Sequence, residues 1–425
     1  MIRDHTRPSA ARSALRHTMT HQRHEPEYEL PAQVARAQEL MRQDRIDGWL
    51  VHDFRGSSHV LARLVPASGK TTRRAALWVP ASGEPELLCS VLDRPSFAGA
   101  IGRGLREQAY IGWDQYRAWL ASRLRGGVRV AMEYSPGAAL PAVSLADAGT
   151  VELVRAMGAE VASSADLIQA AVAVWSDDAV AAHRQASAHT AEIMDSAWRL
   201  IRERTAGPAP IDEAAVARHI RGEFDRRGLE TPDGPIVAVN AHAGDPHYDT
   251  PATGSAPIGR GDWVLIDLWA RRPGNANIFS DITWVGFVGR EAPAQQREVF
   301  GAVQRARDAA LALARRSWHA GTPVAGHALD DAARAELVSA GLGEFVRHRT
   351  GHSLSPGPLV HGAGMNLDNL ETHDTRRMLP RTGFTIEPGA YLPQFGVRLE
   401  IDVYVDPAAG PTVTSCLQTE IVPLA

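Results

Sequence analysis

Four carboxylates, Asp267, Asp281, Glu387 and Glu400, stand inside apolar, strand-like sequence, and His352 sits in the Gly/Pro-rich stretch "HRTGHSLSPG". Asp267 shares a predicted strand face with Trp263, Leu265 and Trp269, and Asp281 opens "DITWVGFVG" fourteen residues later, a spacing expected of neighbouring strands on a short connection. In "FTIEPGAYLPQFGVRLEID" two predicted strands flank a Pro/Gly turn, with one glutamate in each. Val397, Leu399, Ile401, Val403 and Val405 fall on one face, and Arg398, Glu400, Asp402 and Tyr404 on the other. Singly, each carboxylate has an ordinary reading as the partner of an arginine or of backbone N–H groups, and a lone His as a hydrogen-bonded core residue. As a set they repel one another, and burying carboxylates unpaired is costly. Arg398 compensates one. The rest call for cations, and four carboxylates with one imidazole suit two hard or borderline divalent ions sharing carboxylates. Two such ions about 3.5–4 Å apart activate a water and polarise a carbonyl or phosphoryl oxygen.

These residues need a scaffold. Pro31 to Arg45 has helical spacing, "DGWLVHDF", "AALWVP", "ELLCS" and "VRVAMEYS" read as strands, and Asp114 to Leu124 reads as a helix. Strands alternating with helices predict an α/β domain over residues 30–175. A second region opens at "SDDAVAAHRQ", with Ser176 as N-cap and acids in the first turn. Helices are predicted over Asp212 to Arg227, Ala294 to Arg316 and Ala328 to Ala340, with strands "PIVAVN", "DWVLIDLWA" and "ITWVGFVG" between them and the glutamate hairpin last. Residues 176–425 are therefore expected to form an α+β domain. Residues 1–29 are polar, rich in Arg and His and aperiodic; they read as a disordered tail, with Met19 an alternative start to Met1.

Composition narrows the classes. The chain is 44% hydrophobic and 22% charged, ordinary for a globular protein, and its formal net charge of -4 supplies no basic field for nucleic acid. No apolar run approaches the roughly 18 residues of a membrane span, and the N-terminus lacks an apolar signal core, so a cytoplasmic protein with no membrane partner is expected. Cys89 and Cys416 show no metal spacing and read as inert core thiols. His348 and His352 have HxxxH spacing, but no Glu follows His348 and Gly351 weakens a helix, which argues against a zincin. Neither a nucleophile elbow, a P-loop nor a dinucleotide fingerprint is present, and Arg55 reads as a surface residue.

In the order "VLIDLWA…FSDITWVG", "HRTGHSL…VHG", "TIEPGAY" and "GVRLEID", the second region resembles the pita-bread metallopeptidases, the family of methionine aminopeptidase, aminopeptidase P and prolidase. The first half is similar, more loosely, to the N-terminal domain of its Xaa-Pro-cleaving and creatinase-like members. The resemblance implies a pita-bread catalytic domain preceded by a smaller creatinase-like α/β domain. It makes Asp267, Asp281, His352, Glu387 and Glu400 ligands of two divalent metal ions per chain, with Asp281 and Glu400 bridging. Manganese is favoured by the oxygen-rich set, with cobalt or zinc as alternatives. His247 in "AGDPHYDT" is implied to bind substrate, His361 in "LVHG" to contact the scissile amide, Arg398 to match an arginine of the Xaa-Pro branch, and Glu387 to shuttle protons. The implied protein is a homodimer whose N-terminal domain walls the partner's cleft. Its substrate is a short peptide cleaved before proline. A lyase or amidohydrolase acting on a small non-peptide metabolite is the alternative, and retention of all five ligands argues against a mere binding module.

Four departures from the family pattern surround the expected pocket. "RRPGN" lengthens the connection between the aspartates, and "SPGP" lengthens the one from His352 to His361. Trp269 stands where the family often has Gly, placing an indole in the substrate site, and Trp284 stands where an Arg or similar residue is common.

Overall fold

The computed structural model describes residues 30–208 and 211–425, so the tail expected at 1–29 lies outside the described residues. In the first half, α1 (Leu30–Asp44), β1 (Gly48–Phe54), α2 (His59–Leu64), β2 (Arg74–Pro80), β3 (Glu86–Ser90), β4 (Arg106–Tyr110), α3 (Trp113–Arg123), β5 (Arg129–Met132), α4 (Ala148–Ala156), β6 (Glu160–Ser163) and α5 (Ala165–Val172) follow in order. The strands make one mixed sheet, β4-β3-β2-β1-β5-β6. Its inner strands β1, β2, β3 and β5 are mostly buried on both faces because helices cover both. Trp49, Val51, Leu77, Val79 and Leu87 point to α1, α2 and α5, while Leu50, Ala76, Leu88, Val130 and Met132 point to α3 and α4.

The second half has two similar layers, each a helix pair over a four-stranded sheet. The first holds α6 (Asp177–Ala206), β7 (Ile211–Asp212), α7 (Glu213–Arg227), β8 (Ile236–Val239), β9 (Pro257–Ile258), β10 (Trp263–Ala270) and β11 (Ser280–Phe287). The second holds α8 (Ala294–His319), α9 (Gly326–Ser339), β12 (Ser353–Leu354), β13 (Gly383–Ile386), β14 (Gly389–Leu392), β15 (Phe395–Arg398), β16 (Ile401–Asp406) and β17 (Gly410–Val413), and β18 (Val422–Pro423) returns to the first sheet. The sheets run β18-β11-β10-β8 and β12-β13-β16-β17. This is the pita-bread arrangement, and the protein is an α+β molecule with an N-terminal domain ahead of it. Ser176 caps α6 as expected, its hydroxyl accepting the Ala179 N–H at 3.1 Å.

Val264, Ile266, Leu268 and Ile282 pack under α6 and α7. Val397, Leu399, Ile401, Val403 and Val405 pack under α8 and α9. The opposite strand faces, with the carboxylates, are thereby turned toward the space between the sheets.

The glutamate hairpin differs from its expected form. It is four strands rather than two: β13 pairs with β16, β14 pairs with β15, and Glu387 and Glu400 occupy the breaks. Each glutamate N–H leaves the hairpin ladder, donating to Thr350 O at 2.7 Å and to Thr283 O at 3.2 Å respectively. The ladder is exchanged for neighbouring backbone at the two points where a carboxylate must turn inward. A second correction concerns Cys416, which is exposed on the segment after β17, while Cys89 is buried as expected.

Trp175 closes the junction between the halves. It is fully buried, its indole N–H donates to Leu354 O at 2.8 Å, and its ring stacks on Tyr404 at 5.1 Å. A Cβ on Gly383 would come within 2.1 Å of that ring, so only glycine fits there. Trp175→Ala is expected to lower stability by about 3–5 kcal/mol in urea unfolding, the usual range for deleting a buried Trp. A loss below about 1 kcal/mol would show that the junction carries little packing energy.

Candidate metal centre

Two strands set the first half of the site. β10 and β11 are antiparallel, with Asp267 opposite Thr283 and Trp269 opposite Asp281, so these four side chains share the inner face. Trp284 pairs with Ile266 and lies on the other face, in the core beneath α6 and α7. The expectation that Trp284 surrounds the pocket is therefore wrong; strand parity separates residue 284 from 281 and 283. The breaks in the hairpin supply Glu387 and Glu400, and His352 precedes β12.

The structure draws three of the five predicted ligands into one group, with Glu387 3.5 Å from His352 and Asp267 joined to them through Arg398. Ligand atoms of Asp281, His352 and Glu400 all lie within 4.8 Å of one another, and all three residues are buried. His352 Nδ1 is 3.2 Å from the Ser353 carbonyl, an atom that only accepts, so Nδ1 carries the proton. Its Nε2 lone pair then faces Asp281 Oδ2 and Glu387 Oε1, each at 3.5 Å. Burial also holds His352 below the usual imidazole range, which disfavours a second proton on that nitrogen. A lone pair facing two carboxylates is repulsive unless a cation lies between them, and fixing the tautomer through Nδ1–H is how proteins aim imidazole at a metal.

Among the described residues, Arg398 is the one cation built into the cluster. Its guanidinium pairs with Asp267 Oδ2, its Nε donates to Thr283 Oγ1 at 3.0 Å, and Nη1 donates to Tyr391 Oη at 3.2 Å. Thr283 Oγ1 in turn donates to Glu400 Oε2 at 2.8 Å. Asp267 Oδ1 is buried with no hydrogen-bond partner, an orphaned acceptor of the kind a metal ion satisfies. Burial and neighbouring carboxylates push Asp281 and Glu400 well above the ordinary carboxylate range. Burial raises Asp267 despite Arg398. For Glu387 burial again opposes ionisation, but His352, His348 and Arg398 outweigh it and hold the carboxyl below its usual value. A site with excess buried acid, one bare imidazole nitrogen and one orphaned oxygen fits bound divalent cations.

Several supporting residues escaped the sequence reading. Thr385 Oγ1 accepts the His352 N–H at 3.0 Å and donates to Glu387 Oε1 at 3.1 Å, tying two ligands together. His348 accepts the Tyr391 hydroxyl at 2.6 Å and so completes an Asp267–Arg398–Tyr391–His348 chain. Asp402 accepts the Asp281 backbone N–H at 3.2 Å. Thr283 and Thr385 were findable, since each is two residues from a ligand on the same strand face; Tyr391 and His348 are joined only by tertiary contact.

Of the remaining predicted residues, His361 lies against His352 and Trp269 shares the strand face of Asp281, whereas no contact joins His247 to the cluster among the described residues. His361 is exposed on one side, with its ring 4.1 Å from that of His352, whose proximity and partial burial push its pKa down to about 3. Trp269 packs against the buried cluster that holds Phe279 and Leu354, with its indole N–H donating to Asp233 Oδ1 at 3.0 Å. His247 is exposed in the turn after residues 240–244, and its side chain makes no hydrogen bond among the described residues. That turn is anchored by the buried Glu213, which accepts from Tyr248 Oη at 2.6 Å and Ala256 N–H at 2.9 Å and contacts His242 Nδ1 at 2.8 Å.

Comparison with known proteins agrees with this architecture. Residues 181–407 match the model of metallopeptidase family M24. The probable dipeptidase PepE of Mycobacterium tuberculosis is 28% identical over 369 residues, covering 85% of this chain and 89% of that protein. Among solved structures, dipeptidase PepE from Mycobacterium ulcerans aligns with a TM-score of 0.66 at 24% identity, covering 93% of this chain and 98% of that one. A prolidase from Thermococcus sibiricus aligns at 0.57 and 19% identity, covering 93% and 99%. At these identities the two structures attest the fold.

The raised carboxylates fix the sign of a pH dependence. In the metal-free protein they hold protons that the unfolded chain has already released, so stability falls as pH rises above about 4. Chelated protein is expected to lose thermal stability between about pH 4 and 7, whereas protein saturated with a divalent cation such as Mn²⁺ loses far less. In Glu400→Ala the gap between the two profiles shrinks. Parallel melting profiles with and without cation would contradict the assignment.

Proposed function

Because the chain belongs to metallopeptidase family M24, we propose that it is a dinuclear-metal peptidase that hydrolyses Xaa-Pro bonds in short peptides. The observation that carries this reading is the His352 lone pair set between two carboxylates beside the orphaned Asp267 oxygen. Asp267, Asp281, His352, Glu387 and Glu400 would hold the two ions, with Asp281 and Glu400 shared and manganese the favoured metal. When bound, the ions supply an activated water and a Lewis acid for the scissile carbonyl.

The chain's own residues do the rest. Glu387, ionised and partly exposed, takes a proton from the attacking water and delivers it to the departing nitrogen. That delivery matters for proline, whose tertiary amide has no N–H and leaves poorly unprotonated. His361 stays neutral at physiological pH and offers its imidazole to the reacting amide. Arg398 stays fixed by Asp267, Thr283 and Tyr391 and so sets the shape of the substrate site rather than moving. His247 binds substrate from its exposed turn, and Trp269 limits the space for the side chain ahead of the bond.

Relatives named dipeptidase and neighbours named prolidase or Xaa-Pro dipeptidase support the same substrate class. We place the division between N-terminal and catalytic domains at residues 175 and 176. We also propose a homodimer: exposed Phe54, Leu92, Ile111 and Trp113 give the N-terminal domain apolar surface that a partner would cover.

Metal-loaded protein is expected to hydrolyse Xaa-Pro dipeptides with higher kcat/KM than Xaa-Ala or Xaa-Gly. Glu387→Ala abolishes turnover, and His361→Ala lowers kcat by about 10²-fold with little change in KM. Silence on every proline peptide, with turnover of a non-peptide metabolite through these same residues, would replace peptidase with lyase or amidohydrolase chemistry.

A further inference from the structure

The indole of Trp269, standing where the family often has Gly, is held by an acid that the metal cluster does not use. Trp269 pairs across the strands with the ligand Asp281, and its N–H donates to Asp233 Oδ1 at 3.0 Å. Asp233 is exposed, and its Oδ2 has no hydrogen-bond or ion-pair partner among the described residues. Its charge acts on both Asp281 and His361, which places it beside the reacting centre. An unpaired carboxylate thus stands at the mouth of the site.

The backbone holds that carboxylate in place. Gly234 lies flat on the indole: its φ is +68°, and a Cβ there would come 2.5 Å from the ring, so the residue after Asp233 must be glycine. The Gly234 carbonyl accepts from Arg221 Nε at 2.9 Å, and Thr231 Oγ1 donates to the Asp233 carbonyl at 2.7 Å. Upstream, Glu230 exchanges backbone hydrogen bonds with Arg271 at 2.8 and 3.0 Å and accepts from its Nε at 2.9 Å. Arg271 opens the "RRPGN" connection, and its Nη1 also reaches the Gly357 carbonyl in "SPGP". The two lengthened connections therefore meet at this arginine and brace the loop that carries Asp233.

An indole and a fixed carboxylate side by side suit one kind of ligand. An ammonium or guanidinium on a slender chain can lie against the ring and reach Asp233 Oδ2, gaining a cation–π contact and an ion pair together. A neutral chain of the same length gains only the ring contact, and an acidic one is repelled. Among the described residues no arginine or lysine of the protein pairs with Asp233; Arg271 is paired with Glu230, and Arg398 with Asp267.

We propose that Asp233 and Trp269 receive the side chain ahead of the scissile bond and select a basic residue there, lysine or arginine. The proposal rests on the peptidase reading and adds the substrate class: short peptides of the Lys-Pro and Arg-Pro kind.

The test compares full-length, metal-loaded wild type, Asp233→Asn, Asp233→Glu and Asp233→Lys on Lys-Pro, norleucyl-Pro and Glu-Pro. Asparagine keeps an acceptor for the Trp269 N–H and removes only the charge, so a merely structural role would survive it. Wild type is expected to favour Lys-Pro over norleucyl-Pro about 10-fold in kcat/KM, a preference that falls as salt is raised. In Asp233→Asn the preference drops to within about 2-fold, Asp233→Glu retains part of it, and Asp233→Lys turns it toward Glu-Pro. Equal losses on Lys-Pro and norleucyl-Pro in Asp233→Asn overturn the proposal, because they place the acid on the α-amino group that both peptides share. A wild type that treats the two peptides alike also overturns it. If wild type cleaves no proline peptide, the peptidase reading fails, and calorimetry with lysine amide and norleucine amide decides the subsite. Lysine-selective binding that Asp233→Asn abolishes upholds it, and absence of that selectivity rejects it.

Discussion

Buried carboxylates repel, and water is not there to screen them; the catalytic half of this chain is organised around that fact. Asp267, Asp281 and Glu400 are buried, the last two within reach of each other, and among the described residues Arg398 is the guanidinium paired with Asp267. The strand faces away from the site are filled with Val, Leu and Ile under two helix pairs, which hold the sheets so that the acids cannot move apart. Such a cluster is costly in isolation and becomes favourable with divalent cations, so packing energy spread over both cores is what pre-forms the site.

The same constraint explains the local backbone. A regular hairpin would alternate its side chains at a fixed pitch and leave each glutamate in line with its strand. Breaking the ladder at Glu387 and Glu400, and passing their N–H groups to Thr350 and Thr283, brings two carboxylates inward without an unpaired backbone donor. Thr283 and Thr385 then join the ligands to one another, and Arg398, Tyr391 and His348 extend the network outward. Function and fold share these hydrogen bonds, so a substitution in this network alters ligand geometry before it alters overall shape.

Much of this was legible in the chain. Period-two alternation puts Asp267 on one strand face with Leu265 and Trp269, and polar interruptions of apolar strand-like sequence mark the four candidate carboxylates, with His352 set in a Gly/Pro-rich stretch. The strand breaks were not legible, because Val397, Leu399 and Ile401 keep alternating straight through Glu400 and all three reach the same core. What ends β15 there is a tertiary partner, Thr283, which no local pattern reveals. Trp284 lies in the core because strand parity, not residue type, sets its face. β4 was missed because "REQAY" is a largely exposed edge strand with little apolar signature. The role of His348 is not legible in its HxxxH spacing, because it comes from Tyr391, far along the chain. The meeting of the two lengthened connections through Arg271 likewise depends on contacts between residues 271–277 and 357 that only the folded molecule displays.

The central claim is that these five side chains form a two-ion site, and anomalous scattering at the manganese edge tests it most directly. Crystals grown with Mn²⁺ should show two anomalous peaks enclosed by Asp267, Asp281, His352, Glu387 and Glu400, with Asp281 and Glu400 touching both. No peak among these residues, or a single ion that leaves Asp267 Oδ1 without a partner, would contradict the account.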